Sequence, residues 1–117
     1  MRQSITSTVE QRRDFTESFD THPMEGAWAG EAIFFLTIEK LQGKDPIVQA
    51  RVQISPDGVN WVDEGIAFSP MEETGLYFVR VRHFGGWLRL KGLVEGGSDA
   101  GGNPATANLT IHLVLKA

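Results

Sequence analysis

Hydrophobic residues recur at every second position in several separate stretches of the chain, the period that places alternate side chains on one face of a β-strand. The strongest run is Ala107, Leu109, Ile111, Leu113 and Leu115, alternating with Thr106, Asn108, Thr110, His112 and Val114. A second run sets Val48, Ala50, Val52 and Ile54 against Gln49, Arg51, Gln53 and Ser55. Residues 32–38, Ala-Ile-Phe-Phe-Leu-Thr-Ile, are apolar on both parities. A strand covered on both faces has that composition, so this one is expected in the middle of a sheet or beneath a subunit contact.

Punctuation between the runs is equally regular. Ser55-Pro56-Asp57-Gly58 is a turn, because Pro presets φ while Asp and Gly tolerate the tight positions that follow. Trp61 and Val62 then start a short strand that Gly65 ends or bends. Residues 76–84 and 87–94 alternate on either side of Gly85-Gly86, a dipeptide suited to the positive φ angles of a two-residue hairpin turn. A hairpin is therefore expected there. Residues 95–104, rich in Gly, Ser, Asp and Asn, read as a mobile loop with nothing to bury. The stretch 10–30 has the weakest pattern: Phe15 and Phe19, four apart, suggest a single helical turn, and Pro23 and Gly26 prevent a long helix. Some six to eight short strands without a helix predict an all-β fold, an antiparallel β-sandwich or jelly roll. It is expected to form one domain over 1–117, with 1–30 supplying an N-terminal strand plus an extended arm.

Composition narrows this without changing it. A chain of 117 residues with 41% hydrophobic and 22% charged residues matches one globular domain with one core. The formal net charge of −4 gives no overall attraction to nucleic acid or to an anionic membrane, so any basic site must be local. The absence of cysteine removes disulfides, thiolate nucleophiles and Cys-type metal sites. The opening residues carry no apolar stretch of about 7 to 15 residues such as export signals need, and no segment approaches the roughly 20 apolar residues of a membrane helix. The expectation is a cytoplasmic or virion-associated protein.

Catalytic patterns are missing. His22, His83 and His112 fall in no metal-ligand spacing. The Gly-rich run 96–102 lacks the Lys-Ser/Thr that completes a phosphate loop, and there is no Gly-x-Ser-x-Gly elbow. Asp63-Glu64 and Glu72-Glu73 are adjacent pairs whose members point to opposite faces of a strand, which suits solvated charges better than acid/base work. A calcium site would need the oxygens of Asp57, Asp99 or Asn103 to converge. Ser55-Pro56-Asp57-Gly58-Val59-Asn60-Trp61 is similar to the Asp-box of sialidase-like propellers, but it is one residue short and occurs once. It reads as a turn followed by a packing tryptophan. Neither a metal nor a cofactor is expected, and the chain is not expected to be an enzyme.

One constellation points to binding. Were 76–84 and 87–94 a hairpin centred on Gly85-Gly86, Tyr77, Val79, Val81, Leu88 and Leu90 would face the core. Arg80, Arg82, Arg89 and Lys91 would then share the other face with Phe84 and Trp87. Like charges directly opposed on a sheet cost up to about 1 kcal/mol per pair, so acidic groups such as Asp63, Glu64, Glu72 or Glu73, or an anionic partner, must offset them. Guanidinium groups make charge-assisted bonds to carboxylates, and the aromatic pair adds apolar area. A second subunit of this acidic protein is the simplest partner.

The order of features resembles a group of small β-sandwich proteins of tailed phages and prophages. The resemblance rests on Glu31–Glu39, a Gly-Lys-Asp-Pro turn, Val48 to Trp61 ending in Ser-x-Asp-Gly-x-x-Trp, Tyr77–Val81, Trp87–Leu90 and the closing Ala107–Lys116. It implies a virion-associated or self-assembling structural role, as a homo-oligomer or as decoration of a larger particle. The charged segment 10–25 and the basic cluster have no counterpart in that pattern. The alternative is a carbohydrate-binding module presenting Trp28, Trp61 and Trp87 to sugar rings, a glycan then being the partner.

Overall fold

The structure, a computed structural model, describes residues 4–117; Met1–Gln3, at the head of the expected arm, lie outside the described residues. It contains nine strands and, among the described residues, no helix: β1 Ser4–Phe15, β2 Glu17–Asp20, β3 Met24–Glu25, β4 Glu31–Gln42, β5 Lys44–Ser55, β6 Val62–Ala67, β7 Gly75–Arg82, β8 Trp87–Gly97 and β9 Thr106–Lys116. One sheet has the order β1-β9-β4-β7. The other runs β2-β8-β5-β6, with β3 also on β8. Every pairing is antiparallel. The two sheets face each other as a sandwich, the all-β architecture that the alternation predicts.

Alternation decides what lies between the sheets. From the first sheet come Phe34, Leu36 and Ile38 of β4 and Leu109, Ile111 and Leu113 of β9, all essentially fully buried. From the second come Val48 and Val52 of β5 and Leu88 and Leu90 of β8, with Met71 inserted from a loop. Each such side chain contributes roughly 1.5–3 kcal/mol when removed from water. β4 lies between β9 and β7, so the apolar run 32–38 does occupy the middle of a sheet.

Phe15 and Phe19 do not form a helical turn. Phe15 closes β1 in the first sheet and Phe19 lies in β2 of the second. The chain crosses between sheets at Thr16 and Glu17, the latter with φ +60°. Both rings point inward, 4.4 Å apart between centroids, and plug the open side of the core. The ring of Phe19 lies over Gly92, its register partner on β8. The expected arm segment is thus folded onto its own sandwich: β1 pairs with β9 along most of its length.

The expected hairpin is not present. β7 pairs with β4 in one sheet and β8 with β5 in the other, so residues 83–86 are a crossing between sheets. The positive φ belongs to His83, at +56°, and not to Gly85 or Gly86. The parities were legible nonetheless, since Val81, Leu88 and Leu90 are all buried; only the strand partner differs. Residues 98–104 are held by hydrogen bonds: Asp99 Oδ1 accepts from the backbone N–H groups of Gly101 and Asn103, both at 2.9 Å.

Candidate functional site

The crossing at 83–86 divides the expected basic cluster between opposite sides of the molecule. Arg80 and Arg82 stand on the outer face of the first sheet, in register with Ile33 and Glu31 of β4. Trp87, Arg89 and Lys91 stand on the outer face of the second, in register with Ser55, Gln53 and Arg51 of β5. Phe84, in the crossing itself, is half-buried and packs against the core. The six residues therefore form no single patch.

On the second sheet the cations are answered within the chain. Asp20 of β2 lies 3.5 Å from Lys91 Nζ and 3.8 Å from Arg89. Arg89 Nε donates to Gln53 Oε1 at 2.8 Å, and its guanidinium stacks on the Trp61 ring at 4.4 Å from the centroid. Asp63 accepts from Arg51 Nε at 3.0 Å and from Gln53 Nε2 at 2.9 Å. Those bonds, Gln53 first and then Arg51, hold its carboxyl below the usual aspartate range. Three cations, two carboxylates and an amide thus form one continuous network. It uses Asp63 from the acids expected to neutralise the cluster, together with Asp20, which alternation could not locate because β2 is short and its pairing with β8 is non-local.

The turn that leads to Trp61 is built on one carboxylate. Asp57 Oδ1 accepts from the N–H groups of Asn60 and Val59 at 2.8 and 2.9 Å and from the Ser55 hydroxyl at 2.9 Å, while Oδ2 accepts from the Asn60 amide at 2.8 Å. These donors, the Asn60 N–H foremost, hold the Asp57 carboxyl far below the usual aspartate range. Its oxygens are occupied by donors, and the turn is a structural device. Gly58, with φ +78°, rests against the Trp87 ring. The Trp61 and Trp87 rings therefore each have internal neighbours, and Trp28 stands apart from them in a turn before β4.

The outer face of the first sheet has the opposite character. Phe35 lies in register between Phe78 of β7 and His112 of β9, and Ile33 between Arg80 and Val114. Thr37 pairs with Leu76. The result is an apolar strip in which Leu76 is 65% exposed and Phe78 50% exposed. The Phe35 and Phe78 rings are 6.0 Å apart, and the Arg80 guanidinium lies over Phe78 at 5.1 Å. Among the described residues, no carboxylate lies within ion-pair distance of Arg80 or Arg82. Leu76 and Phe78 were not expected to be functional, although they share the parity of Arg80 and Arg82 and so must face outward with them. This strip, with its two arginines, is the surface best suited to contact another molecule.

No protein-family model matches the sequence, and no curated protein is similar enough to indicate a relative. Solved structures do share the fold. A chain of the VP2 subviral particle of infectious bursal disease virus superposes with TM-score 0.65 over 98% of this chain at 10% identity. A chain from the structure of the Gx strain of that virus gives TM-score 0.63 over 100% of this chain at 11% identity. This chain spans 32% of each of those virus chains. The SPBc2 prophage-derived protein YomS matches along 100% of this chain and 96% of its own length, with TM-score 0.58 and 9% identity. At such identities the likeness is one of fold: this chain has the β-sandwich found in a viral subviral particle and in a prophage-derived protein.

Proposed function

We propose that this protein is a non-enzymatic structural subunit that self-associates, or decorates a larger phage-like particle, through the outer face of its first sheet. The observation that carries this reading is the apolar strip of Ile33, Phe35, Leu76, Phe78 and Val114 beside Arg80 and Arg82, neither of which forms an ion pair among the described residues. Large apolar side chains aligned on an open face are stabilised by coverage, and arginine beside aromatic residues is the composition of a protein contact. The fold adds support, because the same sandwich occurs in a subviral particle and in a prophage-derived protein. The residues expected to bind a partner divide accordingly: Arg80 and Arg82 belong to the proposed contact, whereas Trp87, Arg89 and Lys91 belong to the internally satisfied face.

The test is molar mass by light scattering during size-exclusion chromatography over a range of loading concentrations. The wild-type protein is expected to exceed the monomer mass of 12.9 kDa, and Phe78→Lys to return it to that mass. Phe78 is half-exposed, so the variant should keep the wild-type circular dichroism spectrum and melting temperature. A wild-type protein that stays monomeric at every concentration, with and without fragments of a candidate particle, would overturn the proposal.

A further inference from the structure

The sandwich has four sheet edges, and three of them are blunted. β1 departs from regular pairing twice, between Thr8 and Glu10 and between Glu10 and Arg13. β2 is four residues long. β6 carries Asp63 and Glu64, and Gly65 at φ +112° accompanies a register shift against β5. Bulges, short edges and charges are the devices that prevent one sheet from adding to another. β7 has no bulge and is not short, and its charges, Arg80 and Arg82, are confined to one end. Its eight residues pair with β4 without a shift, it contains neither Pro nor Lys, and Leu76 and Phe78 are its most exposed apolar side chains. The free side of β7 opens on a groove lined by Phe68, Pro70, Tyr77 and Val79.

Taking the self-association proposed above as its premise, we infer that two copies join edge to edge through β7, antiparallel about a two-fold axis at Phe78, so that two four-stranded sheets become one of eight strands. Charge selects this occupant and this orientation. The chain following Met71 carries Glu72 and Glu73, while the other end of β7 carries Arg80 and Arg82. An antiparallel partner brings the acidic end of each copy to the basic end of the other, whereas a parallel partner would stack like on like. With the axis at Phe78, the two Phe78 rings meet, Leu76 lies opposite Arg80 of the second copy, and Arg82 lies opposite Thr74, beside Glu73. The aromatic row Phe35–Phe78 then continues across the axis into its own image.

Because the chain contains no cysteine, single introduced cysteines report this register directly. Directly opposed residues of antiparallel strands have Cα atoms about 4.5–5.5 Å apart, within the span of a disulfide, while Leu76 of one copy and Leu76 of the other would be roughly 13 Å apart at about 3.3 Å per residue. An equimolar mixture of Leu76→Cys and Arg80→Cys proteins, mildly oxidised, should therefore give mostly the mixed disulfide dimer and only traces from either variant alone; both variants keep Phe78. Ile5→Cys on the β1 edge should remain unlinked. If the protein associates but links through Ile5→Cys, or if the mixture links no better than either variant alone, the β7 pairing is wrong while self-association stands. A protein that light scattering shows to be monomeric overturns both.

Discussion

Gly92 is the position where the packing makes its sharpest demand. It lies on β8 among inward-facing Leu88, Leu90 and Val94, opposite Phe19 of β2 and Ala50 of β5. A Cβ there would stand 2.6 Å from Phe19 Cε1, closer still to Cζ, and 2.8 Å from the Gln49 carbonyl oxygen. The carbonyl belongs to a central strand and cannot retreat, so in Gly92→Ala the ring must move. Two routes bound the cost. Keeping the ring inside strains the core by about 1–3 kcal/mol; expelling it forfeits roughly 1.5–3 kcal/mol of burial and about 0.5–1.5 kcal/mol of contact with Phe15. The lower unfolded-state entropy of Ala returns about 0.4–1 kcal/mol, and because the protein takes the cheaper route the net loss is roughly 1–2.5 kcal/mol. An unfolding entropy of about 2.1 cal/mol/K per residue makes 1 kcal/mol worth about 4 °C for a chain of this length. Thermal denaturation should thus show a fall of roughly 4–10 °C. Gly30→Ala is the control, since nothing lies within 4 Å of a Cβ there, and its melting temperature should stay near wild type. Phe19→Ala alone should cost about 3–5 kcal/mol, but adding Gly92→Ala to it should cost much less than in the wild type, a coupling of about 1–3 kcal/mol. A Gly92→Ala protein as stable as wild type, or an additive cycle, would refute this account of how the open side of the core is sealed.

Other expectations are more local. The Asp57 carboxyl is held below its ordinary value of 3.8 by Asn60, Val59 and Ser55, so its contribution is fully present above that pH and is lost as pH falls below it. The melting temperature of Asp57→Asn should lie below wild type by a constant margin at neutral pH, and the margin should shrink as the pH drops below about 4; a margin independent of pH would exclude Asp57 as the source. Gly58→Ala combines a φ of +78° with a Cβ 3.1 Å from the Trp87 ring. It should lower stability by about 1–2 kcal/mol in urea titrations and change tryptophan emission. Asp20→Ala removes exposed ion pairs with Arg89 and Lys91 and should cost no more than about 1 kcal/mol by the same titration; a larger loss would mean that this network organises the second sheet.

Parity along the chain was legible because it is local. Ala107, Leu109, Ile111, Leu113 and Leu115 face inward as their alternation demands, and so do Val48, Ala50 and Val52. The turn at Ser55–Asn60 was legible because Pro, Asp and Gly act on their immediate neighbours. Strand partners were not legible. Only β5 and β6 are hydrogen-bonded neighbours that also follow each other in sequence, and β1, at one end of the chain, pairs with β9 at the other. A dipeptide such as Gly85-Gly86 is compatible with a hairpin, but it cannot report that Gly26 will donate to the Gly86 carbonyl at 2.7 Å and hold the crossing in place. Phe15 and Phe19 misled for the same reason: four residues separate two side chains that meet from opposite sheets.

This topology also explains why the candidate surface had to be found in three dimensions. Where successive strands alternate between sheets, a cluster that is contiguous in sequence is divided between the two outer faces, as Arg80 and Arg82 are divided from Arg89 and Lys91. A cluster on one face must instead be assembled from distant segments, as Ile33, Phe35, Leu76, Phe78 and Val114 are. The physical consequence is a molecule with two unlike exteriors. On one, each cation has a carboxylate, amide or aromatic partner, so binding an anion there would first require Asp20 or Asp63 to be displaced. On the other, a row of apolar side chains lines a strand that carries two arginines at one end and pairs with β4 without a bulge. In the dimer inferred above, coverage of that second exterior would remove apolar area from water and bring Glu72 and Glu73 of the second copy towards the Arg80–Arg82 end, whereas coverage of the first would exchange existing interactions for equivalent ones. The proposed self-association through the β7 side would therefore gain more than a contact made through the second sheet.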